Sequence, residues 1–81
     1  MTVNLDRFGR ITDLIFDEFS SAMKKFGSFN SIHEGYAIIH EELDELWDNV
    51  KLQHPHPEDL KKEAKQVAAM AIRFLYDLCD V

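Results

Sequence analysis

The chain has 81 residues, 46% apolar and 11% aromatic, with a net charge of −6. That is enough apolar material for one packed domain and too much for a disordered chain, although a core this small often gains stability by self-association. The charge excludes a general nucleic-acid-binding surface, which needs a basic stripe, but leaves a single nucleotide open as a ligand, because a bound cation reverses the local sign.

Along the chain, Leu5, Phe8, Ile11, Ile15, Phe19, Ala22, Met23 and Phe26 recur at threes and fours, which is helical spacing. Lys24 and Lys25 followed by Gly27 form a helix-ending pattern, with cations in the last turn and a glycine just beyond. The spacing predicts a helix over residues 4–26. Leu14 and Phe16 flank its stripe, so the apolar face is wider than one partner needs, a hint of burial against another subunit.

Ser31 and Glu34 have the spacing of a capping box. A second helix is expected over residues 32–52, with Ile32, Tyr36, Ile39, Leu43, Leu46 and Val50 as its core stripe. Pro55 and Pro57 interrupt it, and Pro57 suits the first turn of a third helix over residues 57–79, where Glu58 and Asp59 favour its positive end. No strand alternation or internal repeat appears. The expectation is one all-α domain, residues 1–81, of three helices with the second and third antiparallel. No apolar run is long enough to span a membrane, the N-terminal residues lack a signal peptide's apolar core, and Cys79 has no internal disulfide partner. A soluble cytoplasmic protein without a membrane partner is expected.

The stretch "EELDE" at residues 41–45 crowds four carboxylates into a core-forming helix. With Leu43 as origin at 100° per residue, Glu42 falls at about −100° and Glu45 at about −160°, on one flank, while Glu41 and Asp44 lie further round. On the third helix, with Val67 as origin, Glu63 falls at about −40°, inside the apolar stripe, and Gln66 at about −100°; Arg73 and Asp77 continue that flank. An ionised carboxylate on a buried stripe must be paired, protonated or metal-bound. Antiparallel helices joined by "HPHPED" would set Glu42 and Glu45 opposite Glu63 and Gln66. Converging oxygens of this kind suit a hard cation such as Mg²⁺. The alternative is an acid-rich helix flank that is merely solvated, with Glu63 reaching solvent through its stem.

At these residues the sequence resembles the MazG-like members of the all-α NTP pyrophosphohydrolase superfamily, in particular short forms of phage and bacterial origin. Their pattern is Glu-Glu-x-x-Glu on one helix and Glu-x-x-Asp on the next. Here Glu41, Glu42 and Glu45 supply the first, and Glu63 with Gln66 the second, inside "EGYAIIHEELDELW" and "EAKQVAAMAIRFL". The resemblance covers about residues 28–79. It implies that Glu42, Glu45 and Glu63 coordinate Mg²⁺, with Mn²⁺ as a substitute. Glu41 would help hold a metal or orient the attacking water. The implied reaction cleaves a nucleoside triphosphate between its α- and β-phosphates, in a homodimer or homotetramer. Gln66 departs from the family's Asp: its amide offers a neutral carbonyl oxygen, and the site loses one negative charge.

Other residues leave two readings open. Phe29 and Asn30, in the joint before the second helix, are candidates for lining a nucleotide pocket. Trp47, at about +40° on the second helix, suits either core packing or stacking on a base. Lys51 and Arg73 are candidate phosphate contacts or solvated cations. His33 and His40 read as surface or interface groups, with a phosphate contact as the alternative, His54 and His56 read as exposed, and Cys79 lacks the partners of a catalytic thiol. Against the enzyme stand two rivals: a non-catalytic helical oligomerisation protein, and a module that binds a nucleotide without cleaving it.

Overall fold

Local chemistry sets the helix ends. The Asn4 side-chain oxygen accepts from the Arg7 backbone N–H at 3.0 Å, and Ser31 Oγ from that of Glu34 at 3.1 Å, each satisfying a donor the first turn leaves free. Glu34 reaches back one residue further than a capping box requires, accepting from the backbone and side-chain nitrogens of Asn30. Gly27, at φ 72°, ends the first helix and donates to the Met23 carbonyl, a left-handed position that favours glycine. The computed structural model describes residues 2–81 and gives α1 (Leu5–Phe26), α2 (Ile32–Val50) and α3 (Pro57–Leu78), with no strand among them. α2 stops two residues before the expected end, with Lys51 as its C-cap. No helix of the described residues is long and apolar enough to cross a membrane.

α3 is the central element. It packs against both α1 and α2, which do not pack on each other. The small core is Ala22 of α1, Phe29 of the first joint, and Ala69 and Met70 of α3, with Ile15, Phe19, Ile38, Ile39, Phe74 and Leu78 around it. An edge-on contact between Phe19 and Tyr76, at 5.4 Å between ring centres, fastens α1 to α3. The first joint is clamped from α3: Asp77 accepts from the Phe29 backbone N–H at 2.9 Å, and Arg73 Nη2 donates to the Gly27 carbonyl at 2.8 Å.

The packed face of α2 differs from the expected stripe. Ile32, Tyr36, Leu43 and Val50 are exposed, whereas Gly35 is buried and Ile38, Ile39, Glu42 and Leu46 are half-buried. The internal contact thus uses the flank that carries the carboxylates, and the most apolar stripe faces outward. Gly35 is the reason α3 docks there. A Cβ at this position would lie 2.7 Å from a Phe74 ring carbon and 2.9 Å from a Leu78 methyl, so only glycine permits this approach. Trp47, expected to pack at the core's edge or stack on a base, is 58% exposed and packs into no core.

Gly35→Ala tests the close approach. Helix propensity alone would stabilise the variant by about 1 kcal/mol. Displacing a packed ring and a leucine costs roughly 1–3 kcal/mol, so a net loss of stability is expected in urea unfolding, read as a lower midpoint. A gain would show that α3 does not bear on Gly35.

Candidate metal centre

α2 presents Glu42 and, one turn on, Glu45; α3 presents Glu63. One carboxylate oxygen from each lies within 4.8 Å of the others, with Glu45 exposed and the other two half-buried. Opposite oxygens around an octahedral Mg²⁺ stand about 4.2 Å apart. Three ligands cannot all stand opposite one another, and adjacent ones lie about 3 Å apart, so the donor chemistry fits but side-chain rotation would have to draw at least two of the pairs in to about that distance. No Lys or Arg forms an ion pair with the cluster among the described residues.

Gln66 closes the group. With the amide assigned so that its nitrogen faces the carboxylates, it donates to Glu63 Oε2 at 3.0 Å and to Glu42 Oε2 at 3.1 Å. Turning the amide over would present its oxygen at the same place. The one side chain therefore bridges the two helices in this orientation and offers an oxygen ligand in the opposite one.

Burial, reinforced by the neighbouring Glu45 carboxylate, pushes Glu42 up to about 7 from an ordinary value of 4.5. Glu63 is raised for the same reasons in the same order, with Lys62 opposing. Because the folded pKa of Glu42 lies above its unfolded value, the folded chain holds a proton that the unfolded chain has already released. The resulting stabilisation is complete below pH 4.5 and is lost as pH rises through about 7. In a chelator, the melting temperature is therefore expected to fall between pH 5 and pH 8, and Glu42→Gln should flatten the slope. A melting temperature that rises over this window in the parent would mean Glu42 is ionised throughout.

The cluster borders a cleft of about 640 Å³ between α1 and α2, floored by α3. Glu41, Glu42 and Gln66 line it beside Phe29, Arg73 and Lys25. Of the expected site residues, Glu41, Glu42, Gln66, Phe29 and Arg73 are thus brought to one cavity, while Glu45 and Glu63 join through the carboxylate cluster. Two have other occupations. Phe29 is buried with the Arg73 guanidinium 4.1 Å from its ring centre. Arg73 is 4% exposed and bonded to Gly27 and to the Met70 sulfur, so it holds the joint as well as lining the cleft. Asn30 is engaged by Glu34 and Trp47 stands apart, neither lining the cleft. Lys51 pairs with Asp48 at 3.1 Å on the surface.

The residue sequence reasoning missed is Lys25. It read only as a cation ending α1, yet it lines the α1 wall of the cleft, with its Nζ 5.1 Å from the Phe26 ring centre. Its position nine residues before Glu34 carried no signal, since the two walls meet only through the fold. The chain matches no protein-family model, no curated protein and no solved structure.

Proposed function

We propose that the chain is a MazG-like nucleoside triphosphate pyrophosphohydrolase, cleaving between the α- and β-phosphates to release a monophosphate and pyrophosphate. The carrying observation is the convergence of Glu42, Glu45 and Glu63 from two helices at the edge of a cleft that Glu42 shares. Mg²⁺, or Mn²⁺, held by these carboxylates and the Gln66 carbonyl oxygen would neutralise phosphate charge and lower the pKa of water. Loading would displace the proton that Glu42 retains below about pH 7, so it would release a proton and strengthen with pH, and the raised Glu63 acts in the same direction. Glu41, on the cleft wall, orients the attacking water. Lys25, on the opposite wall, draws the outer phosphates. The order of contacts between α2 and α3, Gly35 against Phe74 and Leu78 and Glu42 against Gln66, supports the antiparallel pairing that the family pattern needs. The exposed apolar stripes support assembly as a dimer or tetramer, and a cytoplasmic setting belongs to the same reading.

One observation favours a second reading. Gln66 where the family has Asp, already bonded to both carboxylates, suits a module that binds a nucleotide without cleaving it, or a helical oligomerisation protein that keeps the fold. The separating experiment measures pyrophosphate from a panel of ribo- and deoxyribonucleoside triphosphates with Mg²⁺ or Mn²⁺, alongside thermal shifts. Pyrophosphate supports the enzyme. Thermal stabilisation by nucleotide without pyrophosphate selects the binding module, and neither effect selects the assembly protein.

A further inference from the structure

A second cavity, of about 660 Å³, lies between α1 and α3. Its floor includes Ile11, Leu14, Ile15, Ala64 and Ala68, and its rim carries Arg7, Arg10, Lys61 and Lys65, with no acidic residue among its lining. These are four of the nine Lys and Arg residues in a chain of net charge −6. An apolar floor under a cationic rim fits an occupant that is apolar along a stripe and acidic at its borders.

The same chain carries such a surface. α2 contains Glu34, Glu41, Glu42, Asp44, Glu45 and Asp48 and no Lys or Arg. Its outward stripe of Ile32, Tyr36, Leu43, Trp47 and Val50 is exposed. Asp44 and Asp48 border that stripe at about +100° and +140° from Leu43. Among the described residues they pair only with His40 at 3.4 Å and Lys51 at 3.1 Å, on the surface. Exposed pairs of this kind are worth under about 1 kcal/mol, so both carboxylates are free to re-pair.

The total surface calls for such a partner. A chain of 9.4 kDa exposes 6327 Å², against about 5,000 Å² for a compact monomer of that mass. The excess, about 1,300 Å², exceeds the roughly 800 Å² that each partner gives to an ordinary stable interface. It is of the size that two docking faces per chain would cover.

We propose that the α1–α3 groove seats the outward face of α2 from a second copy of this chain. A two-fold axis makes the contact twice, each copy giving its α2 and receiving its partner's. The proposal deepens the self-assembly part of the reading above and is independent of the metal and nucleotide parts.

Sedimentation velocity over a concentration series tests it with two charge-reversed variants: Arg10→Glu with Lys61→Glu in the groove, and Asp44→Lys with Asp48→Lys on α2. All four residues are exposed, and circular dichroism checks that the helices remain. The wild type is expected to associate, and each variant to dissociate with its Kd raised about tenfold or more. Mixing the two variants restores opposite charge at both contacts, so the mixture is expected to regain the wild-type association. A monomeric wild type overturns the proposal and leaves the groove to an acidic helix of another protein. Association that neither variant weakens, or that mixing does not restore, overturns it as well. Pyrophosphate release plays no part in the readout, so this inference and the proposed activity fail separately.

Discussion

Glu42→Gln and Glu63→Gln are each expected to lower Mg²⁺-dependent pyrophosphate release by about 100-fold or more, the scale on which metal sites respond to loss of a ligand's charge. Both substitutions keep the side chain's shape and its ability to bond Gln66. In chelator, neither should unfold the chain, and Glu42→Gln should stabilise it above pH 7, where the parent carries an unwelcome charge. Lost activity without lost stability is the signature of a ligand. Equal activity in parent and variants would remove these carboxylates from the chemistry. Gln66→Asp belongs in the same series: it adds the missing charge, so metal affinity should rise while the chelated chain becomes less stable from crowding a further carboxylate against Glu42 and Glu63.

Arg73→Met is expected to cost roughly 2–4 kcal/mol of stability. It leaves the Gly27 carbonyl without its donor and removes a buried guanidinium stacked on Phe29. For a chain this size, each kcal/mol lowers the melting temperature by about 4–8 °C. Thermal unfolding in chelator, where no ligand contributes, checks the figure. Arg73→Lys should recover only part, since an ammonium lacks the planar fork that reaches Gly27 while stacking. A loss of hydrolysis with unchanged stability would instead make Arg73 the phosphate contact that the sequence pointed to.

The helices were legible because their ends are written in short-range chemistry: Asn4, Ser31, Gly27 and Pro57 each act within four residues. The carboxylate cluster was legible because one flank of each helix lines up whatever else packs. What periodicity could not supply was the choice of contact face. The apolar stripe of α2 is the better match to a core, yet Gly35 admits α3 on the neighbouring flank, and a glycine's missing side chain leaves no mark in an apolar count. The structural engagement of Arg73 was hidden for a related reason. A cation next to an acidic cluster reads as a ligand contact until the Gly27–Phe29 joint is seen to pass over it. Lys25 went unseen because its role depends on the direction in which α1 leaves that joint.

The joint itself has a consequence for motion. Two hydrogen bonds, from Arg73 to Gly27 and from Phe29 to Asp77, span 46 and 48 residues of chain, leaving the joint two residues apart and meeting α3 four residues apart. A segment outside any helix is thereby tied to the last two turns of α3. In amide exchange, Phe29 should behave as a core residue, its proton released only when α3 opens, whereas the exposed residues 51–56 of the other joint exchange on their own. The cleft wall formed by α1 is then expected to keep its pivot at Gly27 for as long as the last turns of α3 stay folded.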